Sequence, residues 1–225
     1  MTETIITVRG EFSAHYPAER ATAIVTVSFD GADRSSVFAQ ATDAAAKLRD
    51  SLTELHDPKA GPVTWWSSDS IRVWSDRPWS QTGEQLDLVF HAAIGFRAKF
   101  SDFPALARWA ETVVEWEGVG ISSIDWDLTE ATRAAVTTEV RSRSVKDAVT
   151  KATVFAQSIG LGTVTAIALA DPGMLGDQGA GAGEGGASQY RMMKADMAVG
   201  GGAPLLLWPE EIEVASIVDA RFVAH

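Results

Sequence analysis

Apolar and polar residues alternate over 21–29, where Ala21, Ala23, Val25, Val27 and Phe29 share one side and threonines and Ser28 take the other. That period of two predicts a half-buried strand. It returns over 86–100, with Leu88, Phe90, Ala92, Ile94, Phe96, Ala98 and Phe100 set against Asp87, His91, Arg97 and Lys99. It returns again over 121–128 and 211–223, where Ile212, Val214, Ser216, Val218, Ala220 and Phe222 oppose Glu211, Glu213, Asp219 and Arg221. Shorter strands are expected at 5–12, at 63 to about 75 and at 163–170, with Pro17 breaking the chain after the first.

Between these runs the period lengthens. Val37, Ala41, Ala44, Leu48, Leu52 and Leu55 fall at helical spacing over 35–55, with Asp33 placed to cap. A second helix starts at Ser101 or Asp102, carries Pro104 in its first turn and buries Leu106, Trp109, Val113 and Trp116. The longest helix, 129–160, has Ala131, Ala134, Val145, Ala148, Val149, Ala152, Phe155, Ala156 and Ile159 on its expected packing face. Thr129 caps it, Gly160 and Gly162 stop it, and Asp147 with Lys151 stands at the spacing of an i,i+4 ion pair.

Hairpins mixed with helices predict an α+β fold, a largely antiparallel sheet with packed helices and strand-helix-strand units. The expected domain is 1–225, divisible into two subdomains, with a mobile Gly-rich loop at 172–209 before the last strand. Ten of the nineteen glycines lie in that loop, and so little apolar content cannot offset the entropy of ordering it.

Composition narrows the function. With 30 acidic against 19 basic residues the formal net charge is −11, which argues against nucleic acid or an anionic membrane as partner. The same balance is ordinary for a soluble bacterial protein. No cysteine is present, excluding disulfides, thiol catalysis and thiolate metal sites. The start MTETIITVRGEF reads as a strand rather than a secretion signal, and no apolar run approaches the roughly 20 residues of a membrane span. Cytoplasmic location is the expectation.

The opening VRGEF, the strand ATAIVTVSF with the Ala-rich helix after it, the segment RSRSVKDAVTKATVFAQSIGLGTVTAIALAD and the ending YRMMKADM to PEEIEVASIVDARFVA resemble, in that order, the SIMPL domain family, also called the domain of unknown function 541. The resemblance spans nearly the whole chain. It implies helices packed on antiparallel sheet and a tendency to form homo-oligomers, and it brings no established catalytic residues. Two departures stand out: Phe12 replaces an expected second glycine, and many bacterial relatives look exported.

Candidate sites are few. Gly181, Gly183 and Gly186 follow the order GxGxxG, but phosphate binding needs a strand before them and a helix after, and neither pattern is there. His15, His56, His91 and His225 show no ligand spacing, so no metal or cofactor is expected. Asp125 and Asp127 share a strand face, an arrangement open to paired carboxylate chemistry but commoner as a solvated face. No GxSxG elbow exists, and no catalytic residue is assigned.

The tryptophans are the unusual feature. Trp65 and Trp66 are adjacent on a strand and must point to opposite faces, Trp74 has the parity of Trp66, and Trp79 lies in the turn SDRPWSQTGEQ. Two readings stay open, burial beneath helices or loop and exposure as a contact surface. The expected function is a non-enzymatic one, by homo-oligomerisation or by scaffolding a protein partner, with Trp65, Trp66, Trp74 and Trp79 as interface or ligand contacts. The alternative is a small-ligand-binding protein or unrecognised hydrolase that uses the Trp-rich hairpin with the Gly-rich loop as a lid.

Overall fold

The computed structural model describes residues 3–175 and 207–225. Among them the order is β1 (Thr4–Pro17), β2 (Arg20–Gly31), α1 (Arg34–Leu55), β3 (Val63–Ser68), β4 (Arg72–Asp76), β5 (Val89–Phe100), α2 (Phe103–Val114), β6 (Val119–Asp127), α3 (Glu130–Ser158), β7 (Val164–Ala170) and β8 (Glu211–Ala224). Every strand pairing is antiparallel, and the fold is α+β. The chain divides into two compact units, one built from β1, α3, β7 and β8, the other from Ala18–Asp127. Most of the 172–209 stretch, including Gly181, Gly183 and Gly186, lies outside the described residues.

In the first unit β8 lies between β1 and β7. Its inward positions Val218, Ala220, Phe222 and Ala224 are buried with Ile6 and Val8 of β1 against Ala148, Ala152 and Ala156 of α3. The buried residues of α3 are Val136, Val140, Ser144, Ala148, Ala152 and Ala156, a step of four throughout. Ala148, Ala152 and Ala156 are buried as expected, but the rest of the expected face is corrected: Ala131 and Ala134 are exposed, and Val149, Phe155 and Ile159 are 41%, 55% and 59% exposed. A step of four drifts against the 3.6-residue turn, so the contact stripe winds around the helix as it crosses a twisted sheet. The stripe can be this narrow because the helix lies close. A Cβ on Gly10 of β1 would collide with the Ser144 carbonyl oxygen and come within 2.8 Å of Ala148 Cβ.

Side chains of α3 also serve the free edge of β1. The Asp147 carboxylate accepts from the Glu11 N–H at 2.9 Å, and Lys151 Nζ donates to the Arg9 carbonyl at 3.1 Å. These two side chains form the expected i,i+4 pair at 2.7 Å. The lysine and the Glu11 amide both hold the Asp147 carboxyl below its ordinary value. On the sheet's other face Asp219 of β8 accepts from Arg9 Nε at 2.8 Å and from the Gly173 N–H at 2.7 Å. Gly160 closes α3 at φ +81°, a conformation open to glycine.

The second unit is a sheet in the order β3-β5-β2-β6, with β4 continuing the β3 edge along β5. Asp33 caps α1 by accepting from the Ser36 N–H at 2.8 Å, and Asp102 caps α2 by accepting from Ala105 N–H at 2.9 Å. One sheet face is apolar: Ala21, Ala23, Val25 and Val27 of β2 and Ala92, Ile94, Phe96, Ala98 and Phe100 of β5 are all buried. Val37 and Ala41 of α1 pack with Ala92 in this core. Trp109 of α2 adds its ring against Phe100, centroids 5.2 Å apart, and donates its Nε1–H to Ser51 Oγ at 3.2 Å.

Four boundaries differ from expectation. β1 continues through Pro17, which pairs in register with Glu211; its imide nitrogen, lacking a hydrogen, is tolerated at a strand end. The expected single strand from 63 to 75 is two strands, divided where the Asp69 N–H bonds the Gly95 carbonyl at 2.8 Å. β5 begins at Val89 rather than at 86. Trp116 falls beyond α2, in a turn, where Lys47 Nζ stands 3.9 Å from its ring centre.

Candidate functional site

The second face of the five-stranded sheet is built from the polar halves of the same alternating strands. Because β5 buries its even positions, its odd positions Val89, His91, Ala93, Gly95, Arg97 and Lys99 must point the other way. Register then decides which β3 and β4 residues join them. Trp65 stands opposite Lys99 and Ser67 opposite Arg97, while Trp66 stands opposite Ala98 and so belongs to the apolar face. Trp65 is 47% exposed and Trp66 is half-buried.

Trp74 stands opposite His91, hence on the same face as Trp65 rather than with Trp66. This corrects the parity drawn from an unbroken strand. The interruption at Asp69 shifts the alternation by one, which no count along the sequence shows. The two partners on β5, Lys99 and His91, are eight residues apart, so Trp65 and Trp74 stand about 26 Å apart along the strand at a rise of ~3.3 Å per residue.

An imidazole and a guanidinium flank Trp74, and Lys99 stands opposite Trp65. The His91 ring stacks on Trp74 with centroids 5.1 Å apart and planes at 18°, and its Nε2 lies 3.3 Å from Asp76 Oδ1. The Arg72 guanidinium stands 5.3 Å from the Trp74 centroid. Arg97 reaches Asp69 at 3.8 Å, and the Asp69 carboxylate lies over Gly95, where a Cβ would come within 2.6 Å of it. Arg72, Arg97 and Lys99 were legible as polar positions, but their grouping around the tryptophans depends on pairing across strands. At the other end of this face Asp125 stands opposite Thr22 and Asp127 opposite Arg20, sharing a face as expected. Trp79 is 68% exposed in the turn after β4, bridged to Gln85.

Two surface clefts lie elsewhere in this unit. One is lined by Gln40, Asp43, Lys47, Glu115, Trp116 and Glu117 with Phe29, the other by Asp33, Arg34, Ser35, Phe38 and Val73. Neither lining includes Trp65, Trp66, Trp74 or Trp79. His56 ends α1 and His91 lies on β5, while His15 and His225 belong to the first unit. Among the described residues no three His, Asp or Glu side chains converge to hold a metal ion, and no helix is long and apolar enough to cross a membrane.

A family model described as SIMPL, protein of unknown function (DUF541), matches residues 6–222. The chain belongs to the SIMPL family. The match runs from β1 into β8, so both units of this SIMPL chain fall within it. No curated protein matches the chain. Membership gives the SIMPL chain a family without a reaction, and its chemistry has to be read from its surfaces.

Proposed function

We propose that this SIMPL-family chain acts without catalysis, by self-association or by scaffolding a protein partner, and that the tryptophan-bearing sheet face is its contact surface. One observation carries the reading: Trp65 and Trp74, set on separate strands, reach the same face and stay 47% and 42% exposed. A large aromatic ring left in water forgoes the burial that most stabilises it, and tryptophan is enriched where surfaces become buried on association. The alternative of a small-ligand site or hydrolase beneath the hairpin asks for a concave pocket around these rings. Their open exposure favours the contact reading.

The test is solution mass by size-exclusion chromatography with light scattering over a range of concentrations. The expected result is a multiple of the 24.0 kDa chain that dissociates on dilution. A chain that stays single at every concentration and captures no protein partner would overturn the proposal.

A further inference from the structure

We infer that two copies of the chain pack through the open faces of their five-stranded sheets, about a two-fold axis running along the strands. Lys99 of each copy is then set against Asp125 of the other. The inference rests on the self-association reading above and gives it a geometry.

Register aligns one residue from each of four strands in a transverse row. Trp65 stands opposite Lys99, Lys99 opposite Thr22, and Thr22 opposite Asp125. The next row reads Ser67, Arg97, Ile24 and Ser123. With strands ~4.8 Å apart, the β6 end of a row lies about 14 Å from the β3 end. The Trp65 row is therefore polarised across its strands, aromatic and cationic at its β3 and β5 end and carboxylate at its β6 end, while Arg97 in the next row already has Asp69 as its partner.

A two-fold axis parallel to the strands, between β5 and β2, reverses each row while keeping its height. It lays β3 of one copy over β6 of the second and β5 over β2. The carboxylate of Asp125 then meets the Trp65 and Lys99 end of the facing row. A two-fold interface makes every such contact twice, so Trp65 is covered and the charges are complementary at both ends. An axis running across the strands does the opposite. It lays β5 over β5 and β6 over β6, so Asp125 of each copy stands away from Lys99 of the other and the two opposite charges never meet.

Net charge sharpens the choice. At −11 per chain two copies repel over most of their surfaces. A face that carries its own counter-charge in reversed order is where they can approach and be held in register.

The experiment uses Lys99→Glu and Asp125→Lys, each alone and mixed in equal amounts, followed by sedimentation and light scattering, with circular dichroism to verify folding. Each variant alone faces like charge at both contacts and should dissociate at least about tenfold more readily than the unmodified chain. The mixture restores opposite charge at both contacts, so mixed pairs should return to within a few-fold of the unmodified affinity. Should either substitution disturb folding, Lys99→Gln and Asp125→Asn ask the same question through a smaller, salt-sensitive weakening. Association unchanged in the variants, or a mixture that stays dissociated, overturns this geometry while leaving self-association standing. An unmodified chain that is single at all concentrations overturns this geometry and self-association together. If that single chain binds an oligoglutamate peptide and Lys99→Glu abolishes the binding, the face belongs to an acidic partner instead.

Discussion

Gly10 of β1 and Ser144 of α3 meet where no side chain fits between strand and helix: a Cβ at Gly10 would strike the Ser144 carbonyl oxygen and stand 2.8 Å from the Ala148 nitrogen. Both neighbours are backbone atoms in the middle of a 29-residue helix, and they cannot turn aside as a side chain would. Gly10→Ala should therefore destabilise the first unit by about 1–3 kcal/mol, the range for overpacking. Thermal and urea melts of the variant measure this, and a melt unchanged from the parent would refute the close approach.

Phe222 is fully enclosed between β8 and α3, at 2% exposure, whereas Phe155 on α3 is 55% exposed. Truncation to alanine should cost about 3–5 kcal/mol at Phe222, from lost transfer energy and the cavity left behind. At Phe155 the change should be small, within roughly 0.5 kcal/mol, as for surface positions. Equal losses at the two positions would contradict the orientation of α3.

These two residues also show how far the sequence is legible. Strands β2, β5 and β8 announce their faces because alternating apolar residues admit one orientation. α3 does not, because beyond Val136 and Val140 only alanine and serine line its contact: Ala131, Ala134 and Ala135 are as small as Ala148 and Ala152, and composition cannot rank them. Gly10 on β1 marks where the helix lies closest, over Ser144 and Ala148. The candidate interface was half legible for a similar reason. Trp65 and Trp66 must diverge on any strand, but the side on which Trp74 emerges depends on an interruption at Asp69 that is made by a bond to Gly95.

On the tryptophan face, Trp65→Ala and Trp74→Ala should leave the melting temperature nearly unchanged while weakening self-association. Trp66→Ala, on the apolar side opposite Ala98, should lower stability without that selective loss. Light scattering and calorimetry on the three variants separate these outcomes. Loss of stability at Trp65 and Trp74 with intact association would assign those rings to the fold.

Asp219 gives a pH dependence. The hydrogen bond from Arg9, with a further one from the Gly173 N–H, holds its carboxyl below the ordinary value. A group depressed in the folded state stabilises above its unfolded pKa of about 3.9, and that contribution fades as pH falls through the lower folded value. The difference in melting temperature between the parent and Asp219→Asn should be full at pH 7 and shrink toward zero under strong acid. The pair is exposed on the arginine side, at 57%, so the effect is modest. A difference constant across that range would show that the charge is not responsible.

Asp147 and Lys151 cover two main-chain groups on the free edge of β1. In Asp147→Ala the Glu11 amide loses its acceptor, and its hydrogen exchange should speed up relative to amides of β1 bonded to β8. Exchange measured by nuclear magnetic resonance reads this directly, and an unchanged Glu11 rate would show that the carboxylate does not protect it.

The pairing of β1 with β8, from Thr4 opposite Ala224 to Pro17 opposite Glu211, sets an order of events. Sequence separations this large close slowly, and on a growing chain the eighth strand does not yet exist when the first emerges. The second unit, whose strands β2 to β6 all lie within Ala18–Asp127, has them long before then. Synthesis thus leaves β1 waiting with an open edge while the second unit matures, and the emergence of β8 is itself the signal that lets the first strand pair.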